Sequence, residues 1–239
     1  MDAIWVWFEA LRFEFERNFI TGDRYKMVLD GLGVTITVTI FAALIGMVLG
    51  CAIALMRLSN LRIGKWYPLR SISSLYVDII RGTPVVVQLL IMYCVILVPF
   101  ASTIDSTGTA IITFGLNSAA YVSEMIRGGI LSIDKGQTEA GRSLGLTSGL
   151  TMRLIVMPQM FKLVLPSLLN EFIMLLKETS IVGYIGLMDL TKAADYIRSR
   201  TYSAFMPLLM AAAIYLVIVV GLTRIFARVE RRLRQGDSR

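Results

Sequence analysis

Glu171, Lys177 and Glu178 are three charges inside an otherwise apolar stretch, about 163–187. A charge deep in a bilayer is costly, so it is paired, solvated or used. Counted from Leu163, Glu171 lies about 12 Å along a helix of 1.5 Å rise, near the midplane of an apolar core about 30 Å thick. Glu171 and Glu178 are seven residues apart and share one face, whereas Lys177 points elsewhere. Two readings stay open. The carboxylate meets a polar substrate, with Asn170 beside it adding an amide; or it accepts a hydrogen bond from a neighbouring helix while Lys177 snorkels outward. With no histidine or arginine in the same helix, a substrate-facing Glu171 favours a cationic guest, and a guanidinium would meet it with two parallel hydrogen bonds. Lys177 is the opposing feature, since it would suit a substrate carboxylate.

Arg81-Gly82-Thr83-Pro84 is the second candidate. Glycine and proline free backbone groups, and irregular backbone at membrane depth occurs where it lines a cavity or protein interior. Thr83 and Gln88 would then offer hydroxyl and amide contacts to a polar substrate. The plainer alternative is a loop-to-helix junction with Pro84 at the first helical position. Glu124 and Arg127 read as an i,i+3 pair at the end of another apolar segment.

A polar interlude, Asp134–Pro158, reads DKGQTEAGRSLGLTSGLTMRLIVMP. The pattern predicts a short helix over Thr138–Leu144, capped by Thr138, with Glu139 and Ala140 in its first turn and Arg142 near its end. Gly145 predicts a turn, a second short helix follows, and Pro158 starts a new element. So regular a loop between two apolar segments suits the grip of a soluble partner; an ordinary solvated loop is the alternative.

The same stretch resembles the EAA loop of ABC-importer permeases, E-A-A-x3-G-x9-I-x-L-P. Here the positions are Glu139, Ala140, Gly141, Gly145, Ile155 and Pro158, with Gly141 for the second alanine and Met157 for the leucine. Both departures keep approximate volume or smallness. Arg81-Gly82-Thr83-Pro84, Gly136-Gln137, Pro158-Gln159 and Leu176-Lys177-Glu178-Thr179-Ser180 narrow the resemblance to the polar-amino-acid permeases, over about residues 25–232. The resemblance implies a subunit that dimerises with itself or a relative. It also implies two cytoplasmic ATPase subunits docked on the EAA loops through Glu139, Ala140, Gly141 and Gly145, and an extracytoplasmic solute-binding protein. ATP would be used on those partner subunits, with no cofactor in this chain.

Composition agrees. The chain is 56% apolar, with a mean hydropathy of +0.69, far from ordinary soluble usage. Histidine is absent, which removes Ser-His and Cys-His pairs and the common zinc motifs, so neither a catalytic nor a metal site is expected. Cys51 and Cys94 fall in apolar runs and read as buried, inert thiols. Gly64-Lys65 is followed by Trp66 and lacks the upstream glycine of a phosphate-binding loop. The net charge of +7 is spread between apolar segments, a pattern of membrane orientation rather than of nucleic-acid binding.

These features require an all-α integral membrane protein. Residues 1–31 read as an external amphipathic segment, with Ile4, Phe8, Leu11, Phe15 and Phe19 at helical spacing and Trp5 and Trp7 suited to an interface. Residues 32–228 carry five apolar segments, about 32–56, 84–99, 109–126, 163–187 and 204–226, the second extended by 75–80 as a helix broken at Gly82 and Pro84. Residues 229–239 form a basic tail. Lys and Arg crowd the 57–70 and 127–162 connections and the C-terminus, but are absent from 101–108. That asymmetry places the C-terminus and the 127–162 loop in the cytoplasm and the N-terminus outside; the resemblance implies a bacterial inner membrane. Lys192, Arg198 and Arg200 are exceptions. The alternatives to an ATP-driven importer of a basic amino acid are an importer for a neutral or acidic one, an ion-coupled secondary transporter using Glu171 and Lys177, and a membrane enzyme. Inverted repeats, the signature favoured for the second, are not visible.

Overall fold

The computed structural model describes residues 2–235. Helix α1 (Asp2–Phe15) leads through a short π turn into α2 (Arg24–Leu58). Then come α3 (Pro68–Gly82), α4 (Val85–Ile91) and α5 (Ser106–Leu131). The loop carries α6 (Lys135–Ser143) and α7 (Ser148–Thr151), and α8 (Met157–Glu178) runs into a 3-10 segment, Thr179–Ile185. Helices α9 (Leu190–Thr201) and α10 (Phe205–Gln235) complete the chain. The end of the basic tail, 236–239, lies outside the described residues.

Trp7–Leu58, Ser148–Ile185 and Phe205–Leu233 are long and apolar enough to cross a membrane. Pro68–Gly82 and Val85–Ile96 together form a further such length, bent by 107°. The bend follows from sequence. Thr83 is extended (φ −122, ψ 145), as a residue before proline prefers, and Pro84 has no N–H to continue the ladder. The carbonyls freed at the break are recaptured: Thr83 Oγ1 donates to Ile79 O at 2.9 Å, and Gln88 Nε2 donates to Ile80 O at 2.7 Å.

Close packing of α2 on α5 forms the centre. A Cβ at Gly46 would stand 2.8 Å from Ser118 Cβ and Oγ, and one at Gly50 would stand 2.6 Å from Val122 Cγ1. The glycine pair of α2 therefore lets the backbones approach, as small residues do in lipid, where apolar burial no longer drives association. Val38, Ala42, Leu89, Phe114, Leu175 and Val182 pack together at this centre. A second cluster, including Phe19, Val28, Leu190 and Ile197, holds α9 against α2.

The outer surface is apolar: Leu44, Val48 and Leu55 of α2 and Leu216 and Val217 of α10 are all exposed. Cys51 and Cys94 are exposed too, which corrects their reading as buried thiols; an apolar run in a membrane helix has a lipid face as well as a core face. On α9, two of the three exceptional basic residues are balanced by one acid. Asp195 pairs with Arg198 at 2.6 Å and with Lys192 at 3.3 Å, and these cations hold its carboxyl below its ordinary range. Arg200 stacks on Tyr196, 5.1 Å from the ring centroid.

Candidate substrate cavity and coupling loop

Glu171 is buried on the inner face of α8, and Ser118 Oγ of α5 donates to its Oε1 at 2.9 Å. Both residues border a cavity of about 450 Å³ between α2, α5, α8 and α10. Phe161, Leu165, Phe172 and Leu222 give it apolar walls, so the carboxylate and the serine hydroxyl are its polar lining. A few polar groups fixed in an apolar cavity are what orient a small ligand. The neighbouring-helix bond set out above occurs, on a carboxylate that also borders a cavity.

Asn117, one residue before Ser118, meets a different helix, α4. Its Nδ2 donates to Gln88 Oε1 at 2.9 Å, and Gln88 Nε2 reaches Thr83 Oγ1 at 2.8 Å. Thr83 and Gln88 thus share a separate cavity of about 270 Å³ with Ile79, Ile91, Thr113 and Leu116. Both are engaged in closing the helix break. Asn170 is exposed on another face of α8, shared with Ser167 and Lys177. Of the four candidate substrate contacts, the structure brings together Thr83 and Gln88, and separates them from Glu171 and from Asn170. Ser118 was missed by sequence reading; the polar pair Asn117-Ser118 inside an apolar segment was the available signal.

Glu124 and Arg127 of α5 do pair, and Arg57 of α2 joins them on the same carboxylate. Arg81 lies over the Tyr121 ring, 5.3 Å from its centroid.

In the 134–158 loop, α6 begins three residues earlier than Thr138. Asp134 is its cap, accepting from Gly136 N at 2.8 Å, so Thr138 and Glu139 lie inside the helix rather than at its start. An aspartate ahead of Lys135-Gly136 outcompetes an internal threonine, because only the residue before the first turn can reach free amides. Gly145 (φ 84) ends the helix in the left-handed conformation, and Leu146 N donates back to Gly141 O at 3.1 Å. Arg142 also closes this end, donating to Leu146 O at 3.1 Å. Gly141 is buried: a Cβ there would stand 2.7 Å from Ile155 Cδ1 and 2.9 Å from Thr151 Cγ2. The glycine that departs from the EAA pattern is the point where α6 lies on the segment leading into α8. Glu139, Ala140 and Leu144 face outward, and Leu144 is 82% exposed.

Membrane-length helices thus surround a buried carboxylate, and a folded polar loop precedes the helix that carries it. Residues 46–235 match the family described as "Binding-protein-dependent transport system inner membrane component", and the chain belongs to that family. It is 41% identical to the arginine transport system permease protein ArtQ of Bacillus subtilis (strain 168), over 91% of this chain and 97% of that one. It is 38% identical to the putative glutamine transport system permease protein GlnP of Rickettsia bellii, over 92% and 98%. The L-cystine transport system permease protein TcyB of Bacillus subtilis is 40% identical, over 87% of each chain. A crystal structure of an amino acid ABC transporter with histidines superposes with a TM-score of 0.80 at 41% identity, covering 90% of this chain and 98% of that one. The methionine ABC transporter MetNI, at 20% identity and a TM-score of 0.73, covering 87% and 96%, shares the fold.

Proposed function

We propose that the chain is the transmembrane permease of an ATP-driven importer for a basic amino acid. The observation that carries the substrate class is Glu171: a buried carboxylate, steadied by one neutral hydroxyl, on an apolar cavity of about 450 Å³. Among the described residues no cation pairs with this carboxylate, and a lysine- or arginine-like side chain would supply one. The arginine permease among its relatives supports this reading; the glutamine and cystine permeases mark the alternatives. Ser118 would orient the carboxylate, and the apolar walls would hold the aliphatic part of the substrate. Thr83 and Gln88, being engaged with each other, would act by shaping the helix break, and Asn170 would contact substrate only from the outer face of α8.

Family membership implies partner ATPases and a second permease subunit. In our reading the two ATPases dock on the EAA loops of the two permease subunits, on this chain at α6 through the outward face of Glu139 and Ala140. Gly141 transmits their closure to Ile155 and so to α8, which carries Glu171. Gly145 fixes the end of α6. ATP hydrolysis would belong to those partners. The bent α3–α4 pair and α5 would bring the spans to five, with α1 and α9 external, the coupling loop and C-terminus cytoplasmic, and a solute-binding protein delivering substrate at the outer end.

The test is uptake by the reconstituted transporter, competed by arginine, lysine, glutamine and glutamate, with Glu171→Gln alongside. Basic competitors should dominate in the parent, and Glu171→Gln should lose them by about tenfold or more, the scale of one charge-assisted hydrogen bond. Best competition by glutamate, or an unchanged variant, would overturn the substrate class.

A further inference from the structure

The connection from α2 to α3, residues 59–67, carries charge and aromatic surface that the proposed transport role leaves unused. It folds as a small hairpin. Ile63 N donates to Trp66 O at 2.9 Å, Trp66 N donates to Ile63 O at 3.1 Å, and Gly64 turns the chain at φ 64. Trp66 Nε1 donates to Ser71 Oγ at 3.0 Å, which fixes the indole against the first turn of α3.

Three features of the hairpin point to one partner. First, it has two unlike faces. Ile63 and Trp66 exchange both bonds, so they are directly opposed and share a face; they are 65% and 56% exposed. Arg62 and Tyr67 lie on the other face, the guanidinium 6.0 Å from the ring centroid. An exposed apolar face with an indole, backed by cations, is the arrangement of elements that lie in a membrane interface.

Secondly, the charge is of one sign. Arg62, Lys65 and Arg70 are exposed, and no aspartate or glutamate occurs between Arg57 and Val77. Arg57 is spent on Glu124, but among the described residues no acid pairs with the other three. Arg62 donates through Nε to Gly64 O, so its terminal nitrogens are open to an anionic oxygen. Thirdly, the hairpin follows directly on α2, the end of a membrane-length helix at Leu58. From the turn that holds Trp66, the exposed apolar residues Ile72, Leu75 and Ile79 run on along one face of α3. They cover about 10 Å of helix at 1.5 Å per residue, a strip against which the upper part of an acyl chain lies.

We infer that this hairpin is a membrane-interface anchor selective for anionic phospholipid of the phosphatidylglycerol type. Arg62 and Lys65 meet the phosphates, Ile63 and Trp66 enter the acyl boundary, and the α3 strip receives a chain. Basic residues beside a membrane span draw anionic lipid in this way. The end of α2 is thereby fixed to the bilayer. In the topology proposed above the leaflet is the cytoplasmic one, but the lipid contact itself does not depend on the side.

Lipid quenching of Trp66 in the full-length permease tests the inference. Trp5→Phe and Trp7→Phe leave Trp66 as the sole tryptophan. The protein is reconstituted in mixtures of phosphatidylglycerol and phosphatidylcholine, with bromine on the chains of one lipid or the other. The relative association read from quenching should favour phosphatidylglycerol by about fivefold or more, the scale of one headgroup-level cation, and should shrink as salt rises. Lys65→Gln, which breaks no bond within the hairpin, should lower the preference, and Arg62→Gln/Lys65→Gln should remove most of it. Equal quenching by the two lipids, or a preference unchanged in the double variant, would overturn the anionic assignment. Quenching by acrylamide but by neither lipid would place the hairpin in water and overturn the anchor. Protection from acrylamide and from both lipids would show a protein partner and overturn the lipid one.

Discussion

Ser118 Oγ on α5 donates to Glu171 Oε1 on α8 at 2.9 Å, and Gly46 of α2 is the residue that packs on Ser118 from behind. Three helices therefore converge on one carboxylate. Gly46→Ala would place a methyl 2.8 Å from the Ser118 side chain and push its hydroxyl from Glu171. The expected cost is about 1–3 kcal/mol of stability, as for other overpacked positions. Apparent substrate affinity should fall with it. Thermal inactivation of the purified complex and the KM for uptake measure the two effects, and an unchanged KM would separate Ser118 from the substrate.

Glu139→Lys should abolish ATP-driven transport while leaving membrane insertion intact. Glu139 lies mid-helix in α6 and faces outward, so its replacement disturbs no internal packing, and reversed charge acts on the docking surface alone. Transport and partner ATPase turnover in the same vesicles check this; undiminished coupling would remove Glu139 from the interface.

Gly141→Val should uncouple the transporter by another route. Its side chain would collide with Ile155 and Thr151, lifting α6 from the segment that leads into α8, at a local cost of about 1–3 kcal/mol. Gly141→Ala, whose single methyl meets the flexible end of Ile155, should be the milder variant. The readout is the ratio of substrate moved to ATP hydrolysed, and the reverse ranking of the two variants would argue against a steric cause.

Single-cysteine labelling should place residues 101–108 outside and the 134–158 loop inside. Cys51 and Cys94 are both exposed, so a Cys51→Ser/Cys94→Ser background is essential. Ser106→Cys should then react from outside, and Ser148→Cys after permeabilisation. The opposite pattern would invert the topology.

The sequence by itself determined what depends on short-range pattern. Apolar length predicted helices at 32–56, 163–187 and 204–226, where α2, α8 and α10 run. Glycine and proline chemistry predicted the break at Gly82–Pro84 and the turn at Gly145, because φ, ψ and the missing N–H are properties of single residues. Glu124 and Arg127 were legible as a pair because helix geometry joins residues three apart. Tertiary structure alone decided the rest. Arg57 reaches the same carboxylate from 67 residues away. Asn117 and Ser118, adjacent in sequence, serve different partners, Gln88 of α4 and Glu171 of α8, because neighbours on a helix point about 100° apart, and only the placement of α4 and α8 shows where. The same holds for Thr83 and Gln88, whose polar groups close a bend rather than standing free. Cys51 and Cys94 could not be placed from an apolar run, since in a bilayer both the core and the surrounding solvent are apolar and hydropathy ceases to distinguish inside from outside.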